Sequence, residues 1–83
     1  MAIAAEIRES LEREYNICSK AIHFYKQQIK AFEKKHMTDT RTFLERFEAG
    51  TMGDDEAFFD WYAFHKILTS WTKTKNALQT FMK

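Results

Sequence analysis

At 83 residues, 45% hydrophobic and 16% aromatic, the chain has the length of a single domain, yet a fold this small buries only roughly 60% of its unfolded surface. A formal net charge of +1 excludes strong long-range attraction to nucleic acid or anionic membranes. The lone cysteine, Cys18, excludes an internal disulfide and suits a reducing cytoplasm.

Glu6 and Arg8 follow closely on Met1 with no long apolar run, so no secretion leader is expected. No window reaches the ~20 apolar residues of a membrane span. The expectation is a cytoplasmic chain forming one helical domain over residues 1–83. With no proline and only two glycines, it has few places to break a helix.

The first helix is predicted over residues 4–36. Leu11, Tyr15, Cys18, Ile22, Tyr25, Ile29, Phe32 and His36 keep an unbroken 4-3 alternation, the seam of a coiled-coil-like helix. A second apolar row, Ile3, Ile17 and Phe24, is spaced in sevens with Ser10 between and lies to one side of that seam. Together the rows cover about half the circumference, against the ~100° that faces one neighbour.

A short amphipathic helix is expected over residues 40–49, with Phe43, Leu44 and Phe47 inward. Asp39 is its expected N-cap, with Thr38 as the alternative, and Gly50 stands where a left-handed residue closes a helix. In the next turn Gly53 supplies backbone freedom, and Asp54 is placed to accept from the free amides of the following helix. Asp55 and Glu56 then face the positive end of its dipole. That reading accounts for the acids without a metal ion.

The last helix is predicted over residues 55–81. Its stripe runs Ala57, Trp61, Phe64, Leu68, Trp71, Leu78 and Met82, broken at Lys75, with Ile67, Thr74 and Phe81 along the shoulder. Phe59 points roughly opposite Trp61. Asp60 sits on the apolar shoulder, either paired with a cation or an indole N–H or poised as a specificity contact.

Charge orders the two long helices. Residues 1–18 carry −2, 19–37 carry +4, 38–60 carry −5 and 61–83 carry +4. An antiparallel hairpin sets opposite charges side by side, and the short connector favours it too. The expected fold is therefore all-α: an antiparallel hairpin of two long helices with a short helix in the connector.

Two helices leave apolar faces over. These are either satellites of the core or an interface, and a two-helix layer with no inside of its own favours a homodimeric four-helix bundle or a groove for a partner. The expected partner-binding residues are Ile17, Phe24, Phe59, Asp60 and Trp61.

Chemistry-bearing patterns are sparse. No nucleophile elbow, phosphate loop or histidine pair on one helix face occurs, so no catalytic residue or cofactor is expected. Glu33 and His36 form one E-x-x-H step. A di-iron carboxylate bundle needs two such steps and two further inward glutamates, and Lys34 and Lys35 oppose a cation, so no metal ligand is expected. Lys26, Lys30, Lys34 and Lys35 form a short basic ridge that reads as a solvated face rather than a nucleic-acid contact.

The pattern Phe43, Phe47-Glu48, Gly50, Gly53-Asp54-Asp55, Phe58-Phe59, Trp61 resembles a family of short prokaryotic proteins. In these a long helix, a methionine-hydroxyl cap, an F-x-x-x-F-E-x-G-x-x-G-D-D-x-x-F-F-x-W core and a second long helix follow in order. The family is similar to the small antitoxin-like components of toxin–antitoxin gene pairs, and the resemblance covers roughly residues 30–70. Here Thr40-Arg41-Thr42 replaces the acids that usually follow the cap, and one extra residue separates Met37 from Phe43. The resemblance implies a non-enzymatic partner, encoded near its cognate protein, that binds and neutralises a toxin. The alternative is a self-contained homodimeric bundle with a metal or small-molecule site in its core.

Overall fold

The unbroken seam of the first segment forms one continuous helix. The computed structural model describes residues 4–82, in which α1 spans Ala5–His36, α2 Thr40–Glu48 and α3 Glu56–Met82. Among the described residues there is no strand, so the architecture is all-α. Ile3, in the second apolar row, lies outside the described residues.

Each junction is closed by local chemistry. Met37 ends α1 in the left-handed region, φ 54°, with its N–H on the Glu33 carbonyl, and Thr38 N–H donates to the same carbonyl at 3.2 Å. Asp39 caps α2 as expected, its Oδ1 accepting from Thr42 N–H at 2.7 Å. Gly50, at φ 75°, ends α2 in a Schellman motif. Its N–H donates to Phe47 O at 3.1 Å and the Thr51 N–H to Arg46 O at 3.0 Å.

The cap of α3 differs from the expectation. Asp55, not Asp54, accepts from Ala57 N–H, at 2.9 Å. Gly53 takes φ 83° and the first helical residue is Glu56, so Asp55 rather than Asp54 stands at the N-cap. Only that position aims a side-chain oxygen at the second amide of the helix. Asp54 is left as an exposed turn residue.

The long helices run antiparallel. Tyr15 OH accepts from Gln79 Nε2 at 3.1 Å, Tyr25 meets Phe64, and His36 meets Phe58. Lys75, which interrupts the α3 stripe, lays its ammonium 5.2 Å from the Tyr15 ring centroid, a cation–π contact that lets a lysine occupy the seam. Every member of the predicted α1 seam is buried or half-buried. The hairpin measures 52 × 20 × 17 Å.

The core lies at the turn end, where Ile29, Phe43 and Trp61 are enclosed. Phe43 stacks on Trp61 with ring centroids 3.9 Å apart. Phe32 and His36 lie near-parallel to the same indole, each at 5.7 Å.

A polar chain ties all three helices together there. Trp61 Nε1–H donates to Thr40 Oγ1 at 3.0 Å. That hydroxyl donates to Glu33 Oε2 at 3.0 Å, which also accepts from Thr40 N–H at 2.8 Å. The carboxylate thus satisfies a free amide at the start of α2 and orients the hydroxyl that receives the indole.

Candidate interaction surface

Where α2 folds back decides which surface is left open. Its contacts run through Glu33 on α1 and through Phe58, Phe59, Trp61 and Tyr62 on α3. By the 3.6-residue repeat, these lie to one side of the plane that holds the two long helices. Beyond the reach of α2 the same side is polar: Glu12, Ser19 and Lys26 on α1, and Thr69, Thr72 and Asn76 on α3.

The opposite side carries an apolar patch over part of its length. Ile17 and Phe24 from α1 share it with Ile67, Trp71, Leu78 and Phe81 from α3. Ile17 is 49% exposed, Phe24 51% and Phe81 67%, while Ile67, Trp71 and Leu78 are half-buried. Phe24 is held edge-on to Tyr25 at 5.0 Å, and Tyr25 in turn rests on Phe64. The exposed Phe24 ring is therefore positioned by the seam beneath it. Ile7, at the open end of the seam, is exposed as well.

A cleft of about 500 Å³ lies under α2. Ile29, Leu44 and Leu68 form its apolar lining, and Glu33, Thr40, Arg41, Glu45, Glu48 and His65 its polar one. Glu33 is engaged by Thr40, and Glu45 pairs with Arg41 at 3.8 Å across an exposed helical turn. Among the described residues, no three His, Cys, Asp or Glu side chains converge as a metal cage. Glu33 and His36 also serve separate ends, the carboxylate facing Thr40 and the ring packing on Phe58 and Trp61, where its buried Nε2 has no hydrogen-bond partner.

Comparison with protein-family models, with curated proteins and with solved structures gives no match. Among the described residues no helix is long and apolar enough to cross a membrane.

The structure divides the residues expected to meet a partner. Ile17 and Phe24 share the open face. Phe59, 53% exposed, is on the α2 side instead, with its ring edge-on to Phe47 at 5.3 Å. It therefore does not extend the surface of Phe24. Trp61 is 0% exposed, so its place among the contact residues is corrected: it is the centre of the core. Asp60 is exposed at the turn-end rim of the open face and, among the described residues, has no ion-pair partner. The indole N–H considered for it goes to Thr40.

The shoulder row Ile67 and Phe81 signalled the α3 half of the face. Its continuity with Ile17 and Phe24 emerges only once α2 is placed on the other side.

Proposed function

We propose that this chain is a non-enzymatic protein-interaction module that docks its open apolar face against another helical chain. Its role is that of an antitoxin-like partner which binds and neutralises a cognate protein encoded nearby. The supporting observation is the asymmetry of the open half, whose α2 side is polar while Ile17, Phe24 and Phe81 stand about half or more exposed on the other. Contiguous apolar surface of that kind marks interaction sites. Burying one such side chain contributes about 1.5–3 kcal/mol.

The antitoxin-like part rests on the resemblance of the 43–61 motif. The alternative, a metal in the bundle core, has less behind it, because Glu33 is engaged by Thr40 and His36 by aromatic rings.

Co-expression of the tagged chain with the product of its neighbouring gene, followed by the absolute mass of what co-purifies, tests the reading. A stable hetero-complex that Phe24→Asp disrupts is expected. A chain that purifies without its neighbour overturns the antitoxin-like role.

A further inference from the structure

The cleft under α2 is set apart from the open face by position and by charge. Arg41, Leu44, Glu45 and Glu48 recur every three or four residues, so one flank of α2 forms its wall. Ile29 from α1 and Leu68 from α3 meet Leu44 as its floor. Ile29 is buried and the two leucines are half-buried. All three helices thus contribute, and the space between helices is where bundles hold small ligands. The volume, about 500 Å³, falls within the roughly 300–1,000 Å³ of small-molecule sites.

We propose that this cleft binds a small organic cation, a protonated amine carried on an apolar body. The charge of the lining selects it. Three glutamates, Glu33, Glu45 and Glu48, line the cleft against one arginine, Arg41, and no lysine does. With His65 neutral, that leaves a formal −2 on a chain whose net charge is +1. The attraction is therefore local to the cleft and opposite in sign to the protein as a whole.

The contacts already made within the fold do not cancel that charge. Thr40 donates twice to one oxygen of Glu33 and brings no cation. Arg41 stands 3.8 Å from Glu45 and offsets one carboxylate only. Glu48, three residues further along the same flank, has no ion-pair partner among the described residues. An ammonium at the rim meets unneutralised carboxylate while its apolar body covers Ile29, Leu44 and Leu68. An anion of the same shape meets like charge, and a neutral molecule gains the floor alone.

The charged groups on α2 are exposed, so solvent and salt keep the electrostatic share modest. The floor supplies affinity and the rim supplies selectivity. Because Ile17 and Phe24 lie on the other side of the hairpin, this site does not depend on the docking reading of the open face.

The test is a titration of the full chain, isotope-labelled for amide shifts, with phenethylamine at neutral pH and low salt. Hydrocinnamate and phenethyl alcohol serve as its anionic and neutral counterparts. A saturable shift of the Leu44, Glu48, His65 and Leu68 amides is expected, with a dissociation constant on the order of millimolar for so small a probe. The amine is expected to bind about 5-fold more tightly than the alcohol, the size of one exposed charge interaction, and more tightly still than the carboxylate. Glu48→Gln is expected to weaken the amine by about 3-fold and leave the alcohol unchanged. Glu48→Lys is expected to turn the preference toward the carboxylate. Glu48 is exposed on the last turn of α2, so neither variant disturbs the core.

An alcohol or carboxylate that binds as tightly as the amine overturns the proposal. So do shifts centred on Ile17 and Phe24, a Glu48→Lys chain with the wild-type preference, or failure of both phenethylamine and the longer phenylbutylamine to saturate. Selective amine binding by a chain that forms no hetero-complex leaves the cleft standing and ends the antitoxin-like role. A hetero-complex formed by a chain without selective amine binding does the reverse.

Discussion

The two ends of the hairpin are built from the same residue types and differ in what closes them. At the turn end α2 completes a third side, so Phe43 and Trp61 reach full burial and the indole N–H, the Thr40 hydroxyl and the Glu33 carboxylate form one hydrogen-bonded chain. In the open half stand five of the thirteen aromatics, Tyr15, Phe24, Tyr25, Trp71 and Phe81, and none of these is buried. The third helix, which brings Phe43 and Phe47 to the turn end, separates a core from a surface here. Stability is therefore expected to concentrate at the turn end, leaving the open half free to associate.

The strongest way to break that comparison is to substitute tryptophan at each end. Trp61→Ala removes the centre of the core and is expected to cost about 3–5 kcal/mol, enough to unfold much of so small a domain. Trp71→Ala, at a half-buried site, is expected to cost clearly less, as read from urea midpoints of the two variants. Equal losses would mean that the open half is as tightly built as the turn end.

Thr40→Val sharpens the point, because it keeps the packing volume and removes the hydroxyl. It strands the indole N–H and takes a donor from Glu33, for an expected loss of about 1–3 kcal/mol.

Backbone closures come next. Gly50 and Met37 both occupy the left-handed region, one with the residue suited to it and one without. A Cβ at Gly50 meets no atom within 4 Å, so Gly50→Ala isolates the conformational cost, about 1 kcal/mol. Met37 is 91% exposed, and Met37→Gly is expected to stabilise by somewhat less than ~1 kcal/mol, since glycine also loosens the unfolded chain.

The smallest effect is expected at Asp39. The Thr42 backbone N–H, with its hydroxyl and the Arg41 charge behind it, holds the Asp39 carboxyl below its ordinary 3.8. A depressed carboxyl stabilises the fold above the unfolded value, and that stabilisation is lost as pH falls through the folded value. The melting temperature of Asp39→Ala should therefore lie below that of wild type at neutral pH. The gap should close on acidification below the usual carboxylate range.

Much of this comparison is legible in the residues. The α1 seam could be read because a 4-3 alternation over eight positions fits one helix face only, and all eight positions are at least half-buried. Gly50 could be read because it is the one glycine at the end of α2, and Asp39 because only Thr38 competed with it as the cap.

The acids before α3 could not be ordered in the same way. Asp54, Asp55 and Glu56 are adjacent, and a one-residue difference in the turn chooses among them. Trp61 was ambiguous because periodicity puts it on the α3 stripe without saying whether a neighbour closes over it. That neighbour is Phe43, from a helix whose side of approach the pattern does not encode. The same gap hid the link between Glu33, Thr40 and Trp61, and left open which apolar face α2 covers, that of Phe59 rather than that of Phe24.

Cys18, 1% exposed beneath α3 and the only cysteine in the chain, provides an internal clock for the open half. A thiol reagent reaches its sulfur only when α1 and α3 part, so the rate of labelling under native conditions measures how often that end splits. The protein needs no added probe for this. Slower labelling at higher protein concentration would register any association that holds the helices shut.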